Sequence, residues 1–238
     1  MGAISSIWAP VVSKSLNEPH RSGHERAPGR YHERYTFAIL LSTLLSSMSS
    51  DLTQDVEQTA TKAYGTVPNL FEETNQYTGA PGAVYVAADA ALMDGNLRPV
   101  DQQVVLLTMA RYHDSRYDAV VHARMALDAG LSPKVIEQLL AGETVSDDRI
   151  QALVEATLTS CEERGWLDAD TLRDFQERGV GRGELYEIFA FIGLKTFTSF
   201  TSHIADPDVD PPLENVEDAL GHVPDEPDTI ERQRLFMG

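Results

Sequence analysis

Apolar residues recur every three to four positions through most of residues 51–204, a spacing that predicts helices. Asp51 to Tyr64 is polar with a moderate apolar stripe and stops at Gly65. Thr66-Val67-Pro68-Asn69-Leu70-Phe71 turns into a short helix with Pro68 near its first position. Pro81 and Gly82 break the chain, and the Ala-rich run from Ala83 to Met93 reads as buried. Pro99 opens a helix whose stretch from Val104 to Ala110 is apolar nearly all round, so it is predicted to be central. The next helix starts near Ser115 and ends at Gly130. Ser132-Pro133 caps another that stops at Gly142. Further helices are predicted over 147–164, 168–178 and 184–204. The last is rich in Phe, but its length of about 20 residues decides for helix, since strands run about 4–8. No stretch alternates like a strand, so the fold class is all-α, a single-domain helical bundle. From Asp206 the prolines and acidic residues predict a solvated tail.

Charge divides the chain. Residues 1–47 hold five Lys/Arg against three Glu, while the remainder holds 14 basic against 34 acidic residues. The body is thus strongly acidic and repels phosphate backbones, which argues against a nucleic-acid partner. The first 47 residues mix Pro, Gly, His and Arg without period and read as a disordered N-terminal extension, with Met48 the preferred start. Their apolar run, Phe37 to Leu45, is too short for a bilayer, so no membrane partner is expected. The expected domains are the extension, a helical body over 48–213, and an acidic Pro-rich tail over 214–238. The single cysteine, Cys161, can form no intrachain disulfide, and a cytoplasmic location is expected.

Candidate chemistry concentrates in Ser115-Arg116-Tyr117-Asp118-Ala119-Val120-Val121-His122. On a helix, Ser115, Asp118 and His122 are three and four residues apart and share a face. Ser115 reads first as a helix cap and second as a nucleophile. Asp118 and His122 form an i,i+4 pair in which the carboxylate would orient the imidazole and favour its charged form. Gln103 is either a polar residue near a helix start or an amide donor to a substrate. His113 reads as exposed. No ligand spacing supports a metal, and none is expected.

Several pieces in order resemble the carboxymuconolactone decarboxylase family, which includes the alkylhydroperoxidase D-like proteins. They are Gly65-Thr66-Val67-Pro68-Asn69-Leu70-Phe71, Leu97-Arg98-Pro99-Val100-Asp101-Gln102-Gln103, and His122 with Ala126, Gly130-Leu131-Ser132 and Gly142. Lys195-Thr196-Phe197-Thr198-Ser199-Phe200 with His203-Ile204-Ala205 and Asp210 resemble the closing helix. The resemblance covers about residues 60–213. Peroxidatic members carry Cys-x-x-Cys-x-x-x-His and a Glu on the preceding helix. Here those Cys positions hold Ser115 and Asp118, the Glu position holds Gln103, and His122 is kept. A hydroxyl cannot cycle between thiol and disulfide, which counts against thiol peroxidase chemistry. Asp118 and His122 fit the lactone-decarboxylating branch better.

The resemblance implies a homo-oligomer working without cofactor on a small-molecule substrate, by acid–base chemistry on a carboxylate or lactone. His122 would carry the proton and Asp118 orient it, with Gln103 and Ser115 as hydrogen-bonders. The alternatives are the peroxidase-type oxidoreductase of the family label and a non-catalytic binding protein on the same fold.

Overall fold

The computed structural model describes residues 52–221 and 223–224, all within one compact unit, Leu44–Gly238. The extension over 1–47 and the end of the tail lie outside the described residues. Ten α-helices follow one another among the described residues. They are α1 (52–64), α2 (Asn69–Asn75), α3 (Ala80–Met93), α4 (Pro99–Tyr112) and α5 (Arg116–Asp128). After them come α6 (Pro133–Ala141), α7 (Asp148–Glu162), α8 (Ala169–Glu177), α9 (Arg182–Ala205) and α10 (Glu214–Ala219), with a 3₁₀ turn at Pro211–Leu213. No strand occurs among the described residues, and none of their helices is long and apolar enough to cross a membrane.

The helix α4 is the central post. Every residue from Asp101 to Ala110 is buried, as the all-round apolar run requires. α5, α6, α7 and α9 pack around it. Leu107 at its centre is wholly enclosed, so truncation to Ala should cost about 2–5 kcal/mol. Local chemistry sets the helix ends. Ser115, Ser132, Asp147 and Asp168 each accept a backbone N–H at an N-cap. Gly142 ends α6 in the left-handed region, φ 72°, where a Cβ would be strained.

A smaller apolar cluster joins α1 and α2 to one face of α5 through Val56, Ala60, Leu70, Phe71 and Tyr117, with Tyr85 and Val86 of α3 packed against it. Gly82 lets α1 approach α3, since a Cβ there would meet Val56 Cγ1 at 2.6 Å.

Three expectations need correction. α3 is not a buried helix: Gly82 is its only buried residue, and Val84 is 58% exposed. Pro81 and Gly82 do not break the chain but sit in the first turn of α3, where proline's missing N–H costs nothing. Within the described residues, 207–221 are not a solvated tail either. Val209 and Val216 join the core, and Glu214–Ala219 is helical and packs on α5. Composition hid this, because the prolines mask a sparse set of apolar anchors. Asp210 reinforces the dock by accepting from the Tyr117 hydroxyl (2.6 Å) and from the backbone N–H of Asn69 (2.9 Å).

Candidate active site

Three helices bring five polar side chains together in the core. α4 supplies Gln103, α5 supplies Asp118 and His122 one turn apart, and α9 supplies Lys195 and Ser199 one turn apart. Lys195 and His122 are each 1% exposed and Asp118 is 3% exposed. The Lys195 ammonium donates to Asp118 Oδ1 and lies 3.0 Å from His122 Nε2. Ser199 Oγ donates to Asp118 Oδ2 at 2.7 Å, and His122 Nδ1 lies 3.1 Å from Gln103 Oε1.

An ammonium has only donors, so Nε2 of His122 must accept. The ring proton then sits on Nδ1 and points at the Gln103 carbonyl oxygen. The imidazole is neutral, and its pKa is pushed down from 6.5 to about 3 by burial and then by the Lys195 charge. Asp118 acts the other way but does not prevail. Burial works to raise the Asp118 pKa, but Lys195, His122 and Ser199 together hold its carboxyl below the usual carboxylate range. Burial lowers the Lys195 pKa, and Asp118 opposes that.

The expected Asp118–His122 pair is therefore corrected. The carboxylate does not orient the imidazole directly or keep it charged, because Lys195 stands between them. Gln103 holds the imidazole from behind. Ser115 caps α5 by accepting the Asp118 N–H at 3.3 Å, and its hydroxyl also meets Ser202 Oγ at 3.1 Å. It is wholly buried. His113 is half-buried, not exposed, with Nε2 3.1 Å from Thr196 Oγ1.

Lys195 is the residue that sequence reasoning missed as a site group. Its signal was a lone charge in the stretch from Phe191 to Phe200 of α9. A charge so placed needs a buried partner.

Asp118 and His122 form part of the wall of a cavity of about 360 Å³. The rest of the wall is mostly aromatic and aliphatic, including Phe71, Tyr85, Tyr117, Val121, Met125 and Leu213. Arg124 and Asp128 also line it, paired with each other at 3.0 Å and largely exposed. Neither Gln103 nor Ser115 reaches it. Cys161 does not line it either. The Cys161 sulfur lies 3.6 Å from Met109 Sδ, and burial, with Glu162 nearby, pushes the thiol up to about 11.

No protein-family model and no curated protein matches the chain. Solved structures do. One is titled the alkylhydroperoxidase AhpD core of an uncharacterized peroxidase-related protein from Ralstonia eutropha JMP134. It is 17% identical with a TM-score of 0.61, over 76% of this chain and 94% of that one. An uncharacterized peroxidase-related protein from Silicibacter sp. TM1040 is 14% identical with a TM-score of 0.56, over 68% and 87%. The chain has the alkylhydroperoxidase D-type fold that the sequence motifs resemble.

Proposed function

We propose that the chain catalyses proton transfer on a small carbonyl compound of lactone type, without a cofactor, at His122. The observation that carries this reading is a neutral, oriented imidazole on the wall of an apolar cavity, backed by a buried ammonium–carboxylate pair. In the resting site Lys195 occupies the Nε2 lone pair. A substrate oxygen that draws the ammonium off Nε2 frees that lone pair to take a C–H proton. The electron pair moves to the carbonyl oxygen, where Lys195, which does not line the cavity at rest, meets the developing charge once it has swung off Nε2. Displacing Lys195 from Nε2 weakens the charge that depresses the imidazole, so base strength rises when substrate is in place. Return of the proton to carbon completes an isomerisation or prepares a lyase step.

Peroxidase chemistry, the wording in the neighbours' titles, has little support on this chain. The cavity wall holds no thiol, and a thiol pushed up to about 11 is a poor nucleophile at neutral pH. A second reading, a binding protein on the same fold, draws on one observation: both imidazole nitrogens are already engaged. Assembly with like copies is part of the proposal, supported by Phe200 and Ile204, 56% and 66% exposed on α9.

Deuterium exchange at the acidic carbon of 2(5H)-furanone, followed by proton NMR, separates the readings. Exchange by the wild type that His122→Ala abolishes supports catalysis. A wild type that binds the lactone without exchanging it supports binding alone.

A further inference from the structure

The cavity wall carries three phenols, Tyr64, Tyr85 and Tyr117, and the site described above uses none of them. Tyr85 projects from α3 into the cavity, and an edge contact with Phe71 fixes its ring, centroids 5.4 Å apart at 60°. The neighbouring phenols are committed: Tyr64 donates to Asp89 at 2.9 Å and Tyr117 donates to Asp210. The Tyr85 hydroxyl has no hydrogen-bond partner among the described residues, and its oxygen is not sealed in the packing. A phenol held on an apolar wall without a partner is a donor waiting for an acceptor.

Charge narrows what that acceptor is. The cavity wall carries Asp118, Asp128 and Asp210; Lys195 pairs with Asp118 and Arg124 with Asp128, so the surplus carboxylate is Asp210. The whole chain carries a net charge of -18. A carboxylate ligand would meet this field, whereas a neutral carbonyl compound would not. Tyr85 itself stays protonated across the working range, since burial and the surrounding carboxylates Asp89 and Asp118 push its pKa up. It can donate and will not ionise.

We infer that Tyr85 is the binding donor for the carbonyl oxygen of a neutral cyclic ester or ketone, and that the acidic wall around it, not the phenol, favours such ligands over free carboxylates. This rests on the proposed lactone chemistry for the substrate class, but its test does not need turnover. A site built to donate to an oxygen discriminates against ligands that lack it, because its own polar group is then left unpaired.

The test is the infrared carbonyl band of carbon-13-labelled 2(5H)-furanone bound to wild type, Tyr85→Phe, Tyr64→Phe and His122→Gln, with the dissociation constant of each. Tyr85→Phe removes a hydroxyl that bonds to nothing in the protein, so thermal stability should hold. The expected result is a bound band that moves to higher frequency in Tyr85→Phe alone, with affinity weakened roughly three- to tenfold, the size of one hydrogen bond. An unchanged band and affinity in Tyr85→Phe overturns the inference. So does a wild type that binds sorbate, an unsaturated carboxylate, more tightly than the lactone, or that gives no bound band. A band that shifts as expected, without proton exchange in any form, keeps Tyr85 as the donor and sinks the catalytic reading of His122.

Discussion

Lys195 Nζ lies 3.0 Å from His122 Nε2, and because the ammonium can only donate, the imidazole is fixed as the neutral form with its proton on Nδ1. That relationship sets the tautomer, the charge state and the partner of Asp118 together. Nitrogen-15 NMR of the His122 ring should show Nε2 unprotonated at pH 7. In Gln103→Leu, which removes the acceptor behind Nδ1, the ring should lose its fixed orientation while Lys195 keeps Nε2 unprotonated. An imidazolium signal at pH 7 in the wild type would contradict the assignment.

Lys195→Met should destabilise the fold by about 3–5 kcal/mol, since it leaves the Asp118 carboxylate buried without its cation. The double variant Lys195→Met with Asp118→Asn should recover a large part of that loss. Urea unfolding of the three proteins measures it. Additive losses would show that the pair is not energetically coupled.

The buried imidazole also sets an acid limit on stability. The unfolded chain protonates His122 near 6.5, while the folded chain keeps it neutral down to about 3. Between those values the unfolded state binds more protons, so stability rises with pH and falls on acidification. Asp118, whose folded pKa is lowered, adds a loss in the same direction at the acid end, as pH falls through its folded pKa. Unfolding free energy should therefore drop from pH 6.5 downward with a His122 contribution approaching about 1.4 kcal/mol per pH unit. His122→Gln should flatten that slope above pH 4. Equal slopes in both proteins would place the acid sensitivity elsewhere.

How much of this was legible in the sequence follows from range. The i,i+4 spacing of Asp118 and His122 and the Ser115 cap are local, and both were readable. The buried run from Val104 to Ala110 declared itself by having no polar face. Lys195 reaches Asp118 and His122 across 77 and 73 positions, a meeting no local pattern encodes. The lone charge between Phe191 and Phe200 could only say that some partner exists. The C-terminal dock was misread because prolines dominate it, while its anchors, Val209 and Val216, are few. Nothing in the spacing marked Tyr85.

Asp210 ties that dock to α5 and to the start of α2. Asp210→Ala should remove the acceptor for the Tyr117 hydroxyl and the Asn69 N–H, at about 1–3 kcal/mol. Limited proteolysis should then cut residues 206–220 sooner than in the wild type. Unchanged cleavage would mean that Val209 and Val216 hold the segment by themselves.

The central claim is that His122 takes a proton from a substrate carbon on Nε2 and returns it to carbon. The most direct measurement is the rate of deuterium incorporation into 2(5H)-furanone by wild type, His122→Ala and Cys161→Ser at equal folded concentration. The account predicts incorporation by wild type and Cys161→Ser, and a loss of about 10²–10⁴-fold in His122→Ala, the usual contribution of a positioned acid–base group. Incorporation undiminished in His122→Ala would contradict it.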